Sequence, residues 1–449
     1  MVHGDSVPIA RTKDKAYILT QFEALGLSSV ILKTLETLGY EDPTPIQKQA
    51  IPLVLEGKDL MGLAQTGTGK TAAFGLPLIQ HLNKGNFKPA PKTVRALILA
   101  PTRELARQIS ENLHGFARRT PLRIGMVVGG VSINVQIKNL SRGMDVLVAT
   151  PGRLLDLVER RAVDLSTAQY LVLDEADQML DLGFIHALRK IARLLGTPRQ
   201  TLLFSATMPK LVAELASTYL TDPERIEVSP SGKAADKINQ SVHFINHQGK
   251  QELLKDCLIE RRDDLSLVFA RTKRGAERLM KHLVSCGFKA GSIHGNKSQG
   301  QRDRAIKAFK NGEIRILVAT DVAARGIDIS GISHVYNYEL PEVPENYVHR
   351  IGRTARAGAA GQAVAFCSPE EFHLLRDIEK LMDVTLDAAS GTRPERSIKP
   401  AKKGKSRAGN KNQGAAKKHQ TKRDGPKPAN NNSRPGKWRN WPKRKKVAA

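Results

Sequence analysis

The 449-residue chain carries 71 Lys and Arg against 44 Asp and Glu, a net charge of +27, with 40 % apolar residues. That length exceeds what one hydrophobic core fills and points to two domains. No apolar run approaches the roughly 18–20 residues of a membrane helix, and Met1–Ser6 has neither the basic start nor the apolar block of a secretory leader. A soluble cytoplasmic protein is expected. Cys257, Cys286 and Cys367 lie far apart without metal-ligand spacing, which fits idle thiols in a reducing compartment.

In chain order, residues 1–20 read as a polar extension. From Phe22 onward Val30, Ile31, Leu35 and Leu38 recur at helical spacing, and Gly39 ends the run. Tyr40–Gln47, with Pro43 and Pro45, is a rigid turn before a short helix. The apolar run Leu60–Leu63 then leads into Ala64-Gln65-Thr66-Gly67-Thr68-Gly69-Lys70-Thr71 and a helix beginning near Ala72. Strand, glycine loop and helix start form the setting of a phosphate-binding loop. Backbone N–H groups face the anion, Lys70 supplies a point charge, and the Thr71 hydroxyl suits magnesium. The usual G-x-x-x-x-G-K-[ST] string begins here with Ala64.

After the loop, apolar runs alternate with helical ones: Val94–Ala100, Met144–Ala149, Tyr170–Leu173 and Thr201–Phe204 as strands, with helical segments following each. Continuous apolar strands separated by helices signal a parallel sheet covered on both faces, with chemistry at the strands' carboxyl ends. Asp174-Glu175-Ala176-Asp177 closes one such strand, placing carboxylates where magnesium beside phosphates needs hard oxygen. The apolar rhythm lapses at residues 229–240, read as a linker. A second series follows, Val242–Ile245, Leu265–Ala270, Lys289–Ile293, Ile314–Ala319, His334–Tyr338 and Ala363–Cys367, without a phosphate loop of its own. The expected organisation is an extension (1–20), an ATP-binding domain (21–228), a linker (229–240), a second α/β domain (241–388) and a tail (389–449).

From about residue 391 the aliphatic content collapses. Residues 391–449 hold 20 of the 71 basic residues and only two of the 44 acidic ones. Such a segment cannot offset its chain entropy by burial and is expected to be disordered. Trp438 and Trp441 stand among Lys437, Arg439, Lys443, Arg444, Lys445 and Lys446. Basic residues interleaved with aromatics suit the phosphates and unpaired bases of a nucleic acid, for which the tail is expected to add affinity.

With Asp174–Asp177 placed after this loop, the chain resembles the DEAD-box RNA helicases of helicase superfamily 2. The resemblance spans about Phe22 to residue 385 and rests on ordered strings. These are Phe22 with Gly39–Gln47, Ala64–Thr71, Pro101–Ala106, Gly129-Gly130, Thr150–Arg153, Asp174–Asp177, Ser205–Thr207, Phe269–Lys273, Gln299 with Arg302, Thr320–Asp328 and His349–Arg356. It implies two tandem RecA-like domains and ATP-dependent, RNA-stimulated remodelling of short duplexes, with ATP and magnesium as cofactors.

The resemblance also implies roles. Phe22 would stack on adenine and Gln47 would hydrogen-bond it, with Tyr40 and Thr44 shaping the turn. Lys70 and Thr71 would hold phosphates and magnesium, Asp174 the metal, and Glu175 would orient the attacking water. Arg353 and Arg356 match arginine fingers, and Arg325 and Asp328 match phosphate-side and ribose contacts. Asp177, Ser205, Thr207 and His349 would couple ATP to RNA. RNA would meet Pro101, Thr102, Arg103, Gly129, Gly130, Thr150 and Arg153 in the first domain, and Arg271, Gln299, Arg302 and Thr320 in the second, through its backbone and with little sequence preference. Ala355 stands where the family has glycine, and its methyl group restricts a tight backbone turn. Gly129–Asn134 and the compact core with a basic tail look most like the bacterial RhlE type. A DNA helicase is opposed by Phe22, Gln47 and Pro101–Ala106. A purely ATP-gated RNA clamp would have a broken catalytic set, whereas Lys70, Glu175, Arg353 and Arg356 are all present.

Overall fold

Fourteen short segments of the described chain, most of them apolar, assemble into two seven-stranded sheets. The computed structural model describes residues 21–65, 67–85, 87–228, 238–324, 329, 331–355 and 360–394. The extension 1–20, Thr66, residues 229–237 of the linker, Arg325, Asp328, Arg356 and the tail from residue 395 lie outside the described residues.

The first sheet contains β1 (Leu60–Leu63), β2 (Val94–Leu99), β3 (Ile124–Val127), β4 (Met144–Ala149), β5 (Tyr170–Leu173), β6 (Gln200–Ser205) and β7 (Glu224–Glu227). Its order is β3-β4-β2-β5-β6-β1-β7, with every pairing parallel. The second contains β8 (Ile238–Phe244), β9 (Leu265–Phe269), β10 (Ala290–Ile293), β11 (Ile316–Ala319), β12 (Ile332–Asn337), β13 (Gly361–Cys367) and β14 (Asp387–Ser390), in the order β10-β11-β9-β12-β13-β8-β14. Numbered from its own first strand, the second sheet repeats the permutation of the first. Its pairings are also all parallel. Both sheets lie in one compact unit.

Central strands are buried on both faces, which explains their continuous apolar text. Leu97, Ile98 and Leu99 of β2 are fully covered, as are Leu317, Val318 and Ala319 of β11. Each such Leu or Ile contributes about 1.5–3 kcal/mol through burial. Helices Ser29–Leu38, Pro45–Leu55, Lys70–Leu82 and Arg103–Phe116 supply apolar side chains to one face of the first sheet. Helices Pro151–Glu159, Ile185–Ala192 and Lys210–Tyr219 cover the other. The expected helix over Val30–Leu38 ends at Gly39, whose φ of 71° forms a left-handed cap.

Two expected boundaries move. Strand β8 begins at Ile238, inside the stretch read as linker, because Ile238–Gln240 pair with Gly361–Ala363 of β13. The second domain runs past residue 388. Strand β14 reaches Ser390, and Arg393 clasps the Glu379 carboxylate with two hydrogen bonds, of 2.8 and 2.9 Å, while lying over the Phe244 ring. The tail therefore starts after this clasp.

Candidate functional site

The phosphate loop leaves the carboxyl end of β1 and enters helix Lys70–Leu82. It is pinned at both ends: the Ala64 N–H donates to the Ser205 carbonyl at 2.9 Å, and the Thr68 hydroxyl donates to the Gln65 carbonyl at 2.8 Å. Gly69 has φ 92°, a conformation that favours glycine, and a Cβ there would sit 2.5 Å from Nε2 of Gln47 and displace that amide. Gly67 is likewise left-handed. The Lys70 ammonium is buried, donates to the Ala64 carbonyl at 3.0 Å and lies 3.6 Å from Oδ1 of Asp174. Thr71 stands beside it in the first turn, half-buried.

Gln47 is buried and bridges the preceding turn to this loop. Its Oε1 accepts from the Thr44 N–H at 3.0 Å and its Nε2 donates to the Gly69 carbonyl at 3.2 Å. Tyr40 packs edge-on between Phe22 and Phe116. Phe22 departs from its expected position. It is only 1 % exposed, within the first apolar core, and presents no open face for an adenine to stack on.

Asp174 follows directly on β5, and its N–H donates to the Leu99 carbonyl at 3.0 Å. The carboxylate is buried, and Oδ1 has no hydrogen-bond partner among the described residues. Burial pushes its pKa up to about 6, opposed by Lys70 and reinforced by Glu175. A buried carboxylate oxygen next to a phosphate loop, lacking a donor, fits a divalent cation. Glu175 has φ 54° and ψ 54°, a left-handed backbone that costs a side-chain-bearing residue about 1–2 kcal/mol. Such strain concentrates at functional positions.

Asp177, in the first turn of helix Ala176–Asp181, binds the turn that follows β6. Its Oδ2 accepts from the Ala206 N–H, the Thr207 N–H and the Thr207 hydroxyl, each at 3.1 Å, and Oδ1 accepts from the Gln178 N–H at 2.9 Å. The Ser205 hydroxyl donates to the Thr207 carbonyl at 2.7 Å. Since the Ser205 carbonyl also holds Ala64, the acidic cluster, the 205–207 turn and the phosphate loop form one connected network.

The second domain faces this network. A cavity is lined by Gln65, Ala206 and Thr207 on one side and by Glu345, Val348, His349 and Gly352 on the other. Behind His349, Arg353 is 3 % exposed and borders a cleft with Asp321 and Arg350. Arg350 is a position that the motif reading passed over. Its guanidinium forks onto the Asp321 carboxylate at 2.5 and 2.8 Å, donates to Asn337 Oδ1 and the Glu339 carbonyl, and lies over the Phe269 ring. Buried and fully directed inward, it fixes helix Pro344–Ile351, which carries His349, against the loop after β11. A buried bidentate arginine cannot be distinguished from an exposed one in a linear string of basic residues. Ala355 takes φ 55°, the left-handed conformation in which glycine is at no disadvantage.

The residues expected to meet RNA collect at the carboxyl ends of corresponding strands in the two sheets. Pro101, Thr102 and Arg103 follow β2, Gly129 and Gly130 follow β3, and Thr150 and Arg153 follow β4; Arg271 follows β9, Gln299 and Arg302 follow β10, and Thr320 follows β11. The Thr102 hydroxyl caps helix Arg103–Phe116 by accepting from the Leu105 N–H, as that of Thr272 caps helix Lys273–Ser285. The Arg103 guanidinium lies against Gly129 and Gly130; a Cβ on Gly130 would come within 2.0 Å of it. Arg153 donates to the Val131 carbonyl at 3.0 Å.

The two sets of residues touch. Arg103 donates to Gln299 Oε1 at 3.2 Å, and Glu104 Oε1 accepts from Gln299 at 3.2 Å and from Arg302 at 3.0 Å. Arg107 pairs with Asp303 at 3.0 Å. Glu104, Arg107 and Asp303 were not singled out in the sequence. Arg271 is more internally engaged than a free phosphate ligand: it donates to the Leu340 carbonyl and to Glu371, and Glu371 also holds the fully buried Lys250.

The family described as DEAD/DEAH box helicase matches residues 44–215, and that described as helicase conserved C-terminal domain matches residues 249–358. An ATP-dependent RNA helicase CshA from Limosilactobacillus reuteri is 45 % identical over 366 residues, 82 % of this chain and 73 % of the relative. The CshA of Bacillus subtilis is 43 % identical over 366 residues, with the same two shares. Neither bears the RhlE name, so the narrower expectation finds no support in them. Among solved structures, S. cerevisiae Dbp5 bound to RNA and ADP BeF3 matches with a TM-score of 0.73 and 32 % identity, over 82 % of this chain and 95 % of that one. Mss116p bound to ssRNA and AMP-PNP matches with a TM-score of 0.74 and 29 % identity, over 88 % and 82 %. The paired sheets are thus the tandem RecA-like domains that the motif strings implied.

Proposed function

We infer the working cycle of this chain from the premise that it belongs to the DEAD-box ATP-dependent RNA helicases. It is an enzyme that binds RNA and uses ATP hydrolysis to remodel it locally. The observation that carries the reading onto this chain's own residues is the cavity shared by Gln65, Ala206 and Thr207 with Glu345, Val348 and His349. There the loop proposed to hold ATP meets the helix that leads to Arg353.

Lys70 and the backbone of Gly67–Lys70 hold the phosphates, and the Gln47 amide ties the adenine-side turn to the same loop. Thr71 and Asp174 would hold magnesium, which when bound neutralises charge on the phosphate oxygens. Glu175 accepts the proton side of the attacking water and orients it. Arg353 from the second domain stabilises the charge that develops on the transferred phosphoryl group. Arg356, Arg325 and Asp328 are assigned by the motif strings alone. Asp177 transmits the state of the nucleotide to the 205–207 turn, from which His349 lies across the cavity.

Arg103, Arg153, Gln299 and Arg302, with the glycine backbone at Gly129 and Gly130, form the surface for RNA phosphates and 2′-hydroxyls. Arg103–Gln299 and Glu104–Arg302 hold its two halves in register, so RNA bridging both halves favours the arrangement in which Arg353 serves the ATP site. The basic tail adds salt-dependent affinity. Among the described residues no helix is long and apolar enough to cross a membrane, and we place the protein in the cytoplasm with its RNA. The RhlE-type resemblance of Gly129–Asn134 is not shared by the names of the relatives, and the proposal is made at the level of the family. The test is ATP turnover with single-stranded RNA or DNA of one sequence, with separation of a short RNA duplex measured alongside. Stimulation by RNA alone is expected; equal stimulation by DNA would overturn the RNA assignment.

A further inference from the structure

Beside the RNA surface of the second domain, a carboxylate outside every motif string gathers three donors. Glu277 lies on helix Lys273–Ser285. Its Oε2 accepts from the Ser292 hydroxyl at 2.8 Å, from His294 Nε2 at 3.0 Å and from the Lys297 ammonium at 2.9 Å. These donors stand at the end of β10 and in the turn beyond it, where the Lys297 N–H closes onto the His294 carbonyl at 3.0 Å. His294 is buried, and its Nδ1 accepts from the Asn296 N–H at 3.3 Å; the ring proton therefore belongs on Nε2, facing Glu277. Lys297 first, then His294 and Ser292, hold the Glu277 carboxyl down at about 2.

The turn runs directly into the residues that join the two domains. Ser298 caps helix Gln299–Lys310 through a reciprocal pair with Gln301. The next residue, Gln299, and Arg302 one turn on are the side chains that meet Arg103 and Glu104. The direction in which this helix starts is set by residues 294–298, and that turn is fastened to helix Lys273–Ser285 through one carboxylate.

We propose that Glu277 is a positioning residue for RNA recognition: by clamping Ser292, His294 and Lys297 it fixes the turn that aims Gln299 and Arg302 at RNA and at the first domain. The inference rests on the reading that Gln299 and Arg302 face RNA. Glu277 itself touches neither RNA nor ATP.

The experiment measures RNA-stimulated ATP turnover by the full chain across RNA concentrations. Glu277→Ala is expected to raise the RNA concentration for half-maximal turnover about tenfold, equivalent to about 1.4 kcal/mol. Turnover at saturating RNA and the half-saturating ATP concentration should stay within about twofold. Glu277→Gln retains an acceptor for His294 and Ser292 and should restore most of the RNA affinity. A general loss of turnover with unchanged RNA dependence would show a merely structural role and overturn the proposal. Lys297→Met, which keeps the stem and loses the charge, gives a second reading that does not depend on how Glu277→Ala folds. Combined with Glu277→Ala it should add little, because both remove the same clamp; fully multiplicative effects would mean that Lys297 binds RNA directly, and the clamp would be rejected. Gln299→Ala separates this inference from its premise. If it raises the RNA requirement while Glu277→Ala does not, the clamp alone fails; if neither does, the RNA surface itself is wrongly placed.

Discussion

Replacing Asp177 disconnects the ATP side of the first domain from its RNA side. Its Oδ2 alone holds three donors from Ala206 and Thr207, each at 3.1 Å, within a buried side chain. Asp177→Ala leaves two backbone N–H groups and a hydroxyl without their acceptor. A buried unsatisfied donor costs about 1–3 kcal/mol. Residues 206 and 207 are half-buried and admit some water, so the lower end applies to each, and the total is about 2–4 kcal/mol. Asp177→Asn keeps one oxygen but turns an NH₂ group toward a donor, and should lose about half as much. The phosphate loop's own contacts, Lys70 to Ala64 and Gln47 to Gly69, do not pass through Asp177. Urea unfolding, nucleotide binding and ATP turnover with and without RNA should therefore diverge. Stability falls by about 2–4 kcal/mol in the Ala variant, ATP affinity changes less than about threefold, and stimulation by RNA falls more than about tenfold. Full RNA stimulation in Asp177→Asn would refute the reasoning, as would ATP binding lost in proportion to it.

Three further outcomes follow from the second domain. Arg350→Met strands the Asp321 carboxylate and the Glu339 carbonyl, and should destabilise the protein by about 3–5 kcal/mol in denaturant unfolding; a change below about 1 kcal/mol would show the fork to be dispensable. Ala355→Gly should raise stability by up to about 1 kcal/mol, since the left-handed penalty exceeds the added chain entropy of glycine. Ala355 also packs against the apolar core around Tyr347 and Ile351, and a drop would mean that this contact outweighs the left-handed penalty. Truncation after residue 394 should leave the unfolding midpoint unchanged and flatten the salt dependence of RNA binding. Truncation after residue 390 additionally removes the Arg393 clasp on Glu379 and should lower the midpoint; equal midpoints would place the clasp outside the folded energetics.

The central strands were legible because burial on both faces writes them as unbroken apolar text, and β2, β4 and β5 fall where expected. The strands that escaped notice were edges. β3 is short and half-exposed, β7 reads Glu-Arg-Ile-Glu with one buried residue, and β14 is exposed throughout. An edge strand buries little, so its sequence carries little of the apolar signal. In the site, the phosphate loop, the acidic cluster and the 205–207 turn were legible because contiguous residues supply their chemistry. Glu104, Arg350, Glu371 and Asp303 were not, since their partners stand far away in sequence and only the assembled sheets reveal them. Phe22 shows the converse: the motif string named it for a base, whereas its ring is packed into the core.

The central claim is that the second domain completes an ATP site that the phosphate loop begins. Measuring ATP binding and single-turnover hydrolysis in Arg353→Lys and Arg353→Ala, in the presence of saturating RNA, tests it most directly. Hydrolysis should fall on the order of a thousandfold in the Ala variant, with ATP affinity within about threefold of the parent. Equal loss of binding and hydrolysis, or hydrolysis at the parent rate, would contradict the account.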